Sequence, residues 1–100
     1  MLGIFDSGVG GLSVLRHLLT ALPGAPMVYV ADTANVPYGP RPMAEVRAFS
    51  HAITRFLLDC GATEIVVACN TASAAALKSL REAYPDVPFV GMEPAVKPAA

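Results

Sequence analysis

The residue best placed for chemistry is Cys69, which stands where a strand-like apolar run passes into a helix. Residues 65–68 predict a buried strand, and the following helix is predicted to begin near Thr71. At a helix start the backbone N–H groups are unpaired and the helix dipole adds partial positive charge. A thiol in that position is easier to ionise than a free thiol, and the thiolate is the reactive form. A buried, inert cysteine also fits the pattern, but the polar Asn70 and Thr71 favour a functional site.

A carboxylate is the second group of chemical interest. Asp6 follows the apolar run 2–5 and precedes Ser7 and a glycine-rich turn at 8–11. That turn lacks the GxGxxG spacing of dinucleotide-binding loops and the GKS or GKT of P-loops. It can let backbone amides approach a small carboxylate ligand, or it can simply supply a tight strand-to-helix turn. Asp6 can likewise orient or tune a proton transfer, or cap the next helix.

Strands and helices are predicted to alternate along the chain. Apolar runs without polar alternation predict four strands, at Leu2 to Phe5, Met27 to Ala31, Ile65 to Ala68 and Phe89 to Met92. Helical spacing of apolar residues predicts three helices, at Leu12 to Leu22, Met43 to Asp59 and Thr71 to Ala83. Uniformly apolar strands, each followed by a helix, are typical of a parallel sheet flanked by helices on both faces. The predicted fold class is therefore α/β.

Ligands of open parallel sheets bind beyond the carboxyl ends of the strands. The residues predicted at those ends are Asp6 and Ser7, Asp32 to Asn35, Cys69 to Thr71, and Glu93. One rim of the sheet is thus expected to hold carboxylates, a thiol and several hydroxyls. His17 and His51 fall within helices away from this rim and are predicted to be surface or structural residues. Cys60, in the last turn of the second helix, is predicted to lie in the core.

Composition excludes several classes of function. A net charge of −1 gives no electrostatic case for binding nucleic acid or an anionic membrane. No apolar run approaches the roughly 18 residues of a membrane span, and no CxxC or histidine-rich spacing indicates a metal. Two cysteines without an N-terminal export signal predict reduced thiols in the cytoplasm. Only 15% of residues are charged, against about 25% in an average domain, which predicts an apolar partner surface.

Four segments occur in the order and spacing seen in glutamate racemases, members of the aspartate/glutamate racemase family. They are Asp6 to Gly11, Asp32 to Gly39, Ala68 to Ser73 and Glu93 to Ala95. The chain resembles only the first part of that family, so residues 1–100 are expected to form the first α/β domain of a two-domain fold. The resemblance implies a cytoplasmic, cofactor-independent isomerase that converts L-glutamate to D-glutamate for peptidoglycan, and hence for the cell wall and cell shape. A racemase for another amino acid, such as aspartate, is the alternative within the family.

The family uses two cysteines on opposite faces of the substrate, one removing the α-proton and the other returning a proton. By motif match, Cys69 resembles the first cysteine and Asp6 resembles the carboxylate that assists it. The positions that match substrate contacts are Ser7, Pro37, Tyr38, Gly39, Asn70 and Thr71. The resemblance implies no metal and no cofactor. The second cysteine belongs to a second domain that this chain lacks, and Cys60 is expected to lie too far from the rim to replace it.

The partners expected from the resemblance are L- or D-glutamate and the absent second domain, and a homodimer is compatible with it. We expect the chain alone not to racemise at a useful rate. Two other classes stay open. A one-thiol hydrolase or transferase would use Cys69 as a nucleophile, but it needs a histidine base, and neither His17 nor His51 is well placed. A non-catalytic fragment would bind only a carboxylate ligand or a partner domain.

Overall fold

The computed structural model describes residues 1–6, 12–32 and 41–92, with side chains in the second range described from Leu15 onward. Strands and helices alternate in it as β1 Leu2–Asp6, α1 Leu12–Ala21, β2 Met27–Ala31, α2 Met43–Asp59, β3 Glu64–Val67, α3 Asn70–Ala83 and β4 Phe89–Gly91. Every predicted strand and helix is confirmed, and no end differs from its prediction by more than one residue. No helix in the described ranges is both long enough and apolar enough to cross a bilayer.

The four strands form one parallel sheet in the order β2-β1-β3-β4. The first strand is central, because Leu2 pairs with Met27 of β2 on one side and with Glu64 of β3 on the other. From β1 the chain steps outward to β2 and then crosses back past β1 to β3. This reversal of strand order creates a crevice between the carboxyl ends of β1 and β3, which is where sheets of this order bind ligands.

Helices cover both faces of the sheet, as predicted for this α/β class. On one face α2 and α3 pack over β1 and β3, and Phe5, Ile65 and Val67 are fully buried there. On the other face α1 packs through Leu15 and Leu18 against a smaller cluster that contains Ile4, Val66 and Ala68. Because successive strand residues point to opposite faces and both faces are covered, the strands show no alternation of apolar with polar residues.

Small residues let α3 approach the sheet closely. Ala75 and Ala76 are buried against the strands, whereas Ala74 faces solvent. On the strand side, a Cβ added to Gly91 would lie 2.4 Å from Cδ2 of Leu77. Helix and strand therefore meet at a separation that glycine and alanine permit.

Cys60 departs from its prediction. Cys60 is exposed at the carboxyl end of α2, so the prediction that it lies in the core was wrong. Gly61 follows it with a φ of +102° and turns the chain toward β3, which leaves the cysteine on the outside of the turn. The core-facing side of α2 includes polar residues, because Ser50 and Thr54 are fully buried, while Phe56 is 54% exposed.

Candidate active site at the carboxyl ends of β1 and β3

The two predicted catalytic residues lie at the same edge of the sheet on neighbouring strands. Phe5 of β1 pairs with Val67 of β3, and its carbonyl accepts a hydrogen bond of 2.8 Å from the N–H of Ala68. Asp6 therefore stands beside Ala68, and Cys69 is the next residue along the chain. Adjacent strands are about 4.8 Å apart. The sheet thus brings together two residues that are far apart in sequence.

Cys69 is the N-cap residue of α3. Its backbone is extended, with φ −145° and ψ 124°, and its Sγ accepts a hydrogen bond of 3.4 Å from the N–H of Ala72. The helix therefore begins at Asn70, one residue earlier than predicted. Ser, Thr, Asn and Asp usually occupy this position because an oxygen accepts the unpaired amides, and here sulfur does so. The half-buried thiol faces amide donors and the positive end of the helix dipole, which stabilise negative charge.

Asp6 is fully buried at the end of β1. The hydroxyl of Tyr29, on the neighbouring strand β2, donates a hydrogen bond of 2.6 Å to its Oδ2. Its own carbonyl accepts a hydrogen bond of 3.0 Å from the N–H of Asp32, which extends the pairing of β1 with β2 beyond the last strand residue. The alternative prediction, that Asp6 caps α1, concerns residues 7–11 and lies outside the described residues.

Tyr29 was not predicted to belong to the site. Burial, the hydrogen bond to Asp6 and the charge of that carboxylate together raise the pKa of its hydroxyl to about 12, with burial the largest cause. The hydroxyl is therefore protonated, and able to donate, at any ordinary pH. A tyrosine within an apolar strand is typical of core packing. Strand register could have found it, because Tyr29 pairs with Ile4, two residues before Asp6 and on the same face of the sheet.

Of the remaining predicted site residues, the structure describes only Asn70 and Thr71. Asn70 is exposed and Thr71 is half-buried, both in the first turn of α3 and next to Cys69. Ser7, Pro37, Tyr38 and Gly39 lie outside the described residues, as do residues 33–35 and Glu93 of the predicted rim.

A second residue that sequence reasoning missed is Ser73, one turn into α3. Its hydroxyl accepts a hydrogen bond of 2.9 Å from the N–H of Met92 and donates one of 3.3 Å to the carbonyl of Val67. This side chain ties the end of β3 to the residue that follows β4. The rim of the sheet is therefore held from α3 as well as by strand pairing.

The two histidines and Cys60 lie away from the carboxyl ends of β1 and β3. Nε2 of His51 is 2.7 Å from Oγ of Ser79, which joins α2 to α3 and confirms the predicted structural role. His17 is an exposed residue of α1, as predicted. Cys60 precedes β3 whereas Cys69 follows it, so the two thiols lie at opposite edges of the sheet. Within the described ranges, no three His, Cys, Asp or Glu side chains are grouped so that they could hold a metal ion.

The chain is similar in sequence to curated glutamate racemases. No protein-family model matches the chain. The chain is 58% identical over 98 residues to the glutamate racemase of Pseudomonas aeruginosa strain PAO1, a match that covers 98% of this chain and 37% of that protein. It is 56% identical over 98 residues to the glutamate racemase of Halothermothrix orenii, with 98% of this chain and 38% of that protein covered. The chain thus spans well under half the length of the curated relatives it matches.

Solved structures agree with the curated relatives. Glutamate racemase from Thermus thermophilus, in complex with β-chloro-D-alanine, superposes with a TM-score of 0.85 at 53% identity, over 90% of this chain and 35% of that one. Escherichia coli glutamate racemase, in complex with L-glutamate and the activator UDP-MurNAc-ala, gives a TM-score of 0.90 at 41% identity, over 98% of this chain and 37% of that one. The predicted resemblance is confirmed in both sequence and fold.

Proposed function

Because the chain is a relative of the glutamate racemases, we propose that it supplies one half of a site that interconverts L- and D-glutamate. The observation that carries the proposal is the position of Cys69. Its sulfur accepts an amide hydrogen bond at the start of α3. That helix follows β3, which pairs with the strand that ends in the buried Asp6. The similarity to glutamate racemases, at 58% identity over 98 residues, supports the same conclusion.

In the proposed reaction Cys69 is the base on one face of the substrate. Its thiolate accepts the α-proton, so that the C–H bond breaks and an S–H bond forms. A second acid, on the opposite face of the same carbon, then donates a proton to give the other enantiomer. Asp6 assists the proton transfer at Cys69. The reaction is a proton exchange at one carbon, and we propose that it uses no cofactor and no metal.

Substrate recognition is assigned to the rim of the sheet. Backbone N–H groups at a helix start bind carboxylates because they are unpaired and lie at the positive end of the helix dipole. Asn70 and Thr71, in the first turn of α3, are proposed to contact glutamate. The other residues proposed to contact glutamate, from the two segments that follow β1 and β2 in the sequence, are Ser7, Pro37, Tyr38 and Gly39.

The second acid is proposed to come from a further domain that closes over this rim, so that residues 1–100 form the first domain of a two-domain enzyme. This fits the share of the relatives that the chain spans, 37% of the Pseudomonas aeruginosa protein. A homodimer that presents a second rim is the other arrangement compatible with the proposal. We further propose that the D-glutamate serves peptidoglycan synthesis in the cytoplasm. The racemase activity of the chain alone is proposed to be low.

Solvent-deuterium incorporation at the α-carbon tests the proposal directly. We expect the chain to exchange the α-proton of one glutamate enantiomer only, and we expect Cys69→Ser to abolish that exchange. Cys60→Ser is the matched control, because this thiol is exposed at the opposite edge of the sheet, and it should leave exchange unchanged. L- and D-aspartate, assayed in parallel, distinguish the alternative substrate.

Two results would contradict the proposal. Exchange of both enantiomers together with racemisation would mean that a second base lies within this chain. No exchange of any substrate would remove the catalytic role and would leave a fragment that binds a carboxylate ligand or a partner domain.

A further inference from the structure

The hydroxyl of the half-buried Tyr29 donates a hydrogen bond to the fully buried Asp6 at the rim. We infer that Tyr29 is a positioning residue that fixes the Asp6 carboxylate for its work beside Cys69. The inference rests on the proposed function, because Asp6 matters for catalysis only if Cys69 exchanges a proton with substrate. It adds a residue to the site that neither the motifs nor the comparisons assign.

The geometry of the contact is set by the sheet. Tyr29 pairs with Ile4 and Ala31 pairs with Asp6, so both backbones are held in register two residues apart. The hydroxyl reaches diagonally across the two strands to Oδ2 at 2.6 Å, which is within the range of hydrogen bonds between a hydroxyl and an ionised carboxylate. Little backbone movement is possible at either partner, because both are strand residues. The hydroxyl therefore holds Oδ2 of Asp6 at a defined position relative to β2.

Burial makes this hydrogen bond consequential. Asp6 is fully buried, and a carboxylate removed from water must be stabilised by donors in the protein. Burial, the hydrogen bond and the charge of Asp6, in that order of size, together raise the pKa of Tyr29 to about 12. The phenol consequently keeps its proton and its role as donor across the working pH range of any enzyme.

The ring and the hydroxyl of Tyr29 have separable roles. The half-buried ring packs against the cluster formed by Ile4, Val66 and Ala68 under α1, while the oxygen alone reaches Asp6. Tyr29→Phe keeps the packing and removes only the donor. Tyr84→Phe is the matched control, because Tyr84 lies at the other end of α3, with its ring centroid 6.3 Å from that of Phe89.

The first test compares α-proton exchange in the two tyrosine variants. Hydrogen bonds to charged groups are among the stronger ones, so Tyr29→Phe should reduce the rate at saturating glutamate by about tenfold or more. The glutamate concentration at half-maximal rate should change little, because the hydroxyl contacts Asp6 rather than substrate. Tyr84→Phe should match the unaltered chain in both quantities.

A double-variant cycle separates positioning from general structural support. If Tyr29 acts through Asp6, then Tyr29→Phe should have no further effect in an Asp6→Asn background. A purely structural role would instead slow both backgrounds by the same factor. Equal slowing in both backgrounds, or an unchanged rate in Tyr29→Phe alone, would overturn the inference while leaving the proposed function intact.

A spectroscopic titration keeps the contact testable if Tyr29→Phe does not fold. Ultraviolet absorbance follows the ionisation of the chain's tyrosines, and Tyr29→Phe or Asp6→Asn identifies the late-titrating one. In Asp6→Asn the pKa of Tyr29 should fall below about 12 but stay above its ordinary value of 10, because the carboxylate charge is gone while burial, the largest cause, remains. An unchanged titration would overturn the contact. Absence of exchange in the unaltered chain would overturn the proposed function and the positioning role together, whatever the titration gives.

Discussion

The two cysteines of this chain flank the same strand, β3, but differ in exposure and in their contacts. Cys60 precedes β3 at the amino edge of the sheet and is exposed, whereas Cys69 follows β3 at the carboxyl edge and caps α3. Of the two thiols, only Cys69 accepts a helix amide hydrogen bond and lies beside the strand that ends in the buried Asp6. The direction of a parallel strand therefore decides which of two identical side chains can take part in chemistry.

The largest difference is expected in activity after alkylation. Iodoacetamide applied to the Cys60→Ser chain should remove exchange at Cys69, a loss of at least about a hundredfold because a positioned acid–base group is lost. In an otherwise unaltered chain alkylated at Cys60 alone, verified by peptide mass spectrometry, exchange should persist. Loss of exchange on alkylation of Cys60 would contradict the conclusion that only Cys69 takes part in the reaction.

Substrate protection should separate the thiols next. Glutamate bound at the rim should shield Cys69, slowing its alkylation about tenfold at ten times the dissociation constant. Alkylation of Cys60 in the same sample is the internal control and should not slow. Equal protection of both thiols would indicate a global stabilisation rather than a ligand seated at the carboxyl edge.

The tyrosines at the two edges should differ in alkaline stability. The pKa of Tyr29 is raised to about 12 from 10, so its hydroxyl stabilises the folded chain fully below pH 10. That contribution is lost as the pH rises through about 12, by at most about 1.4 kcal/mol per pH unit. Urea unfolding at stepped pH should show this loss in the unaltered chain and in Tyr84→Phe. Its persistence in Tyr29→Phe would assign the loss to another group.

The smallest expected difference is in helix capping. Cys69→Ala removes the acceptor of the Ala72 N–H, which should destabilise the fold by about 1 kcal/mol. Cys69→Ser retains an acceptor and should lose less. Cys60→Ala changes an exposed side chain and should stay within about 0.5 kcal/mol of the unaltered chain. Urea unfolding at neutral pH measures all three, and a larger loss for Cys60→Ala than for Cys69→Ala would contradict the capping assignment.

Most of the fold could be predicted because its signals are local. Each strand is a continuous apolar run and each helix ends at a glycine, a proline or a polar turn, so the element bounds follow from neighbouring residues. The position of Cys69 at a strand-to-helix joint is local in the same way. Asp6 could be placed at the same edge because parallel strands align their carboxyl ends.

What could not be predicted depends on contacts between distant segments. The hydroxyl of Tyr29 reaches Asp6 only because of the register between β1 and β2, which the pattern of apolar residues does not specify. Ser73 forms hydrogen bonds with both Val67 and Met92. These bonds depend on how closely α3 packs against β4, and no single segment of the sequence determines that distance. The exposure of Cys60 follows from the direction in which Gly61 turns the chain, and helical spacing does not contain that direction.

The central position of β1 also bears on how the chain reaches its folded state. Leu2 pairs with Met27 and, much later in the sequence, with Glu64. The shorter loop closes at the lower entropic cost, and non-local pairing is slow. During synthesis β1 and β2 can pair while the other edge of β1 still awaits β3. That edge presents unpaired N–H and C=O groups on an apolar strand, which is a template for aggregation. The pairing that brings Asp6 and Cys69 together is therefore also the one that removes this hazard.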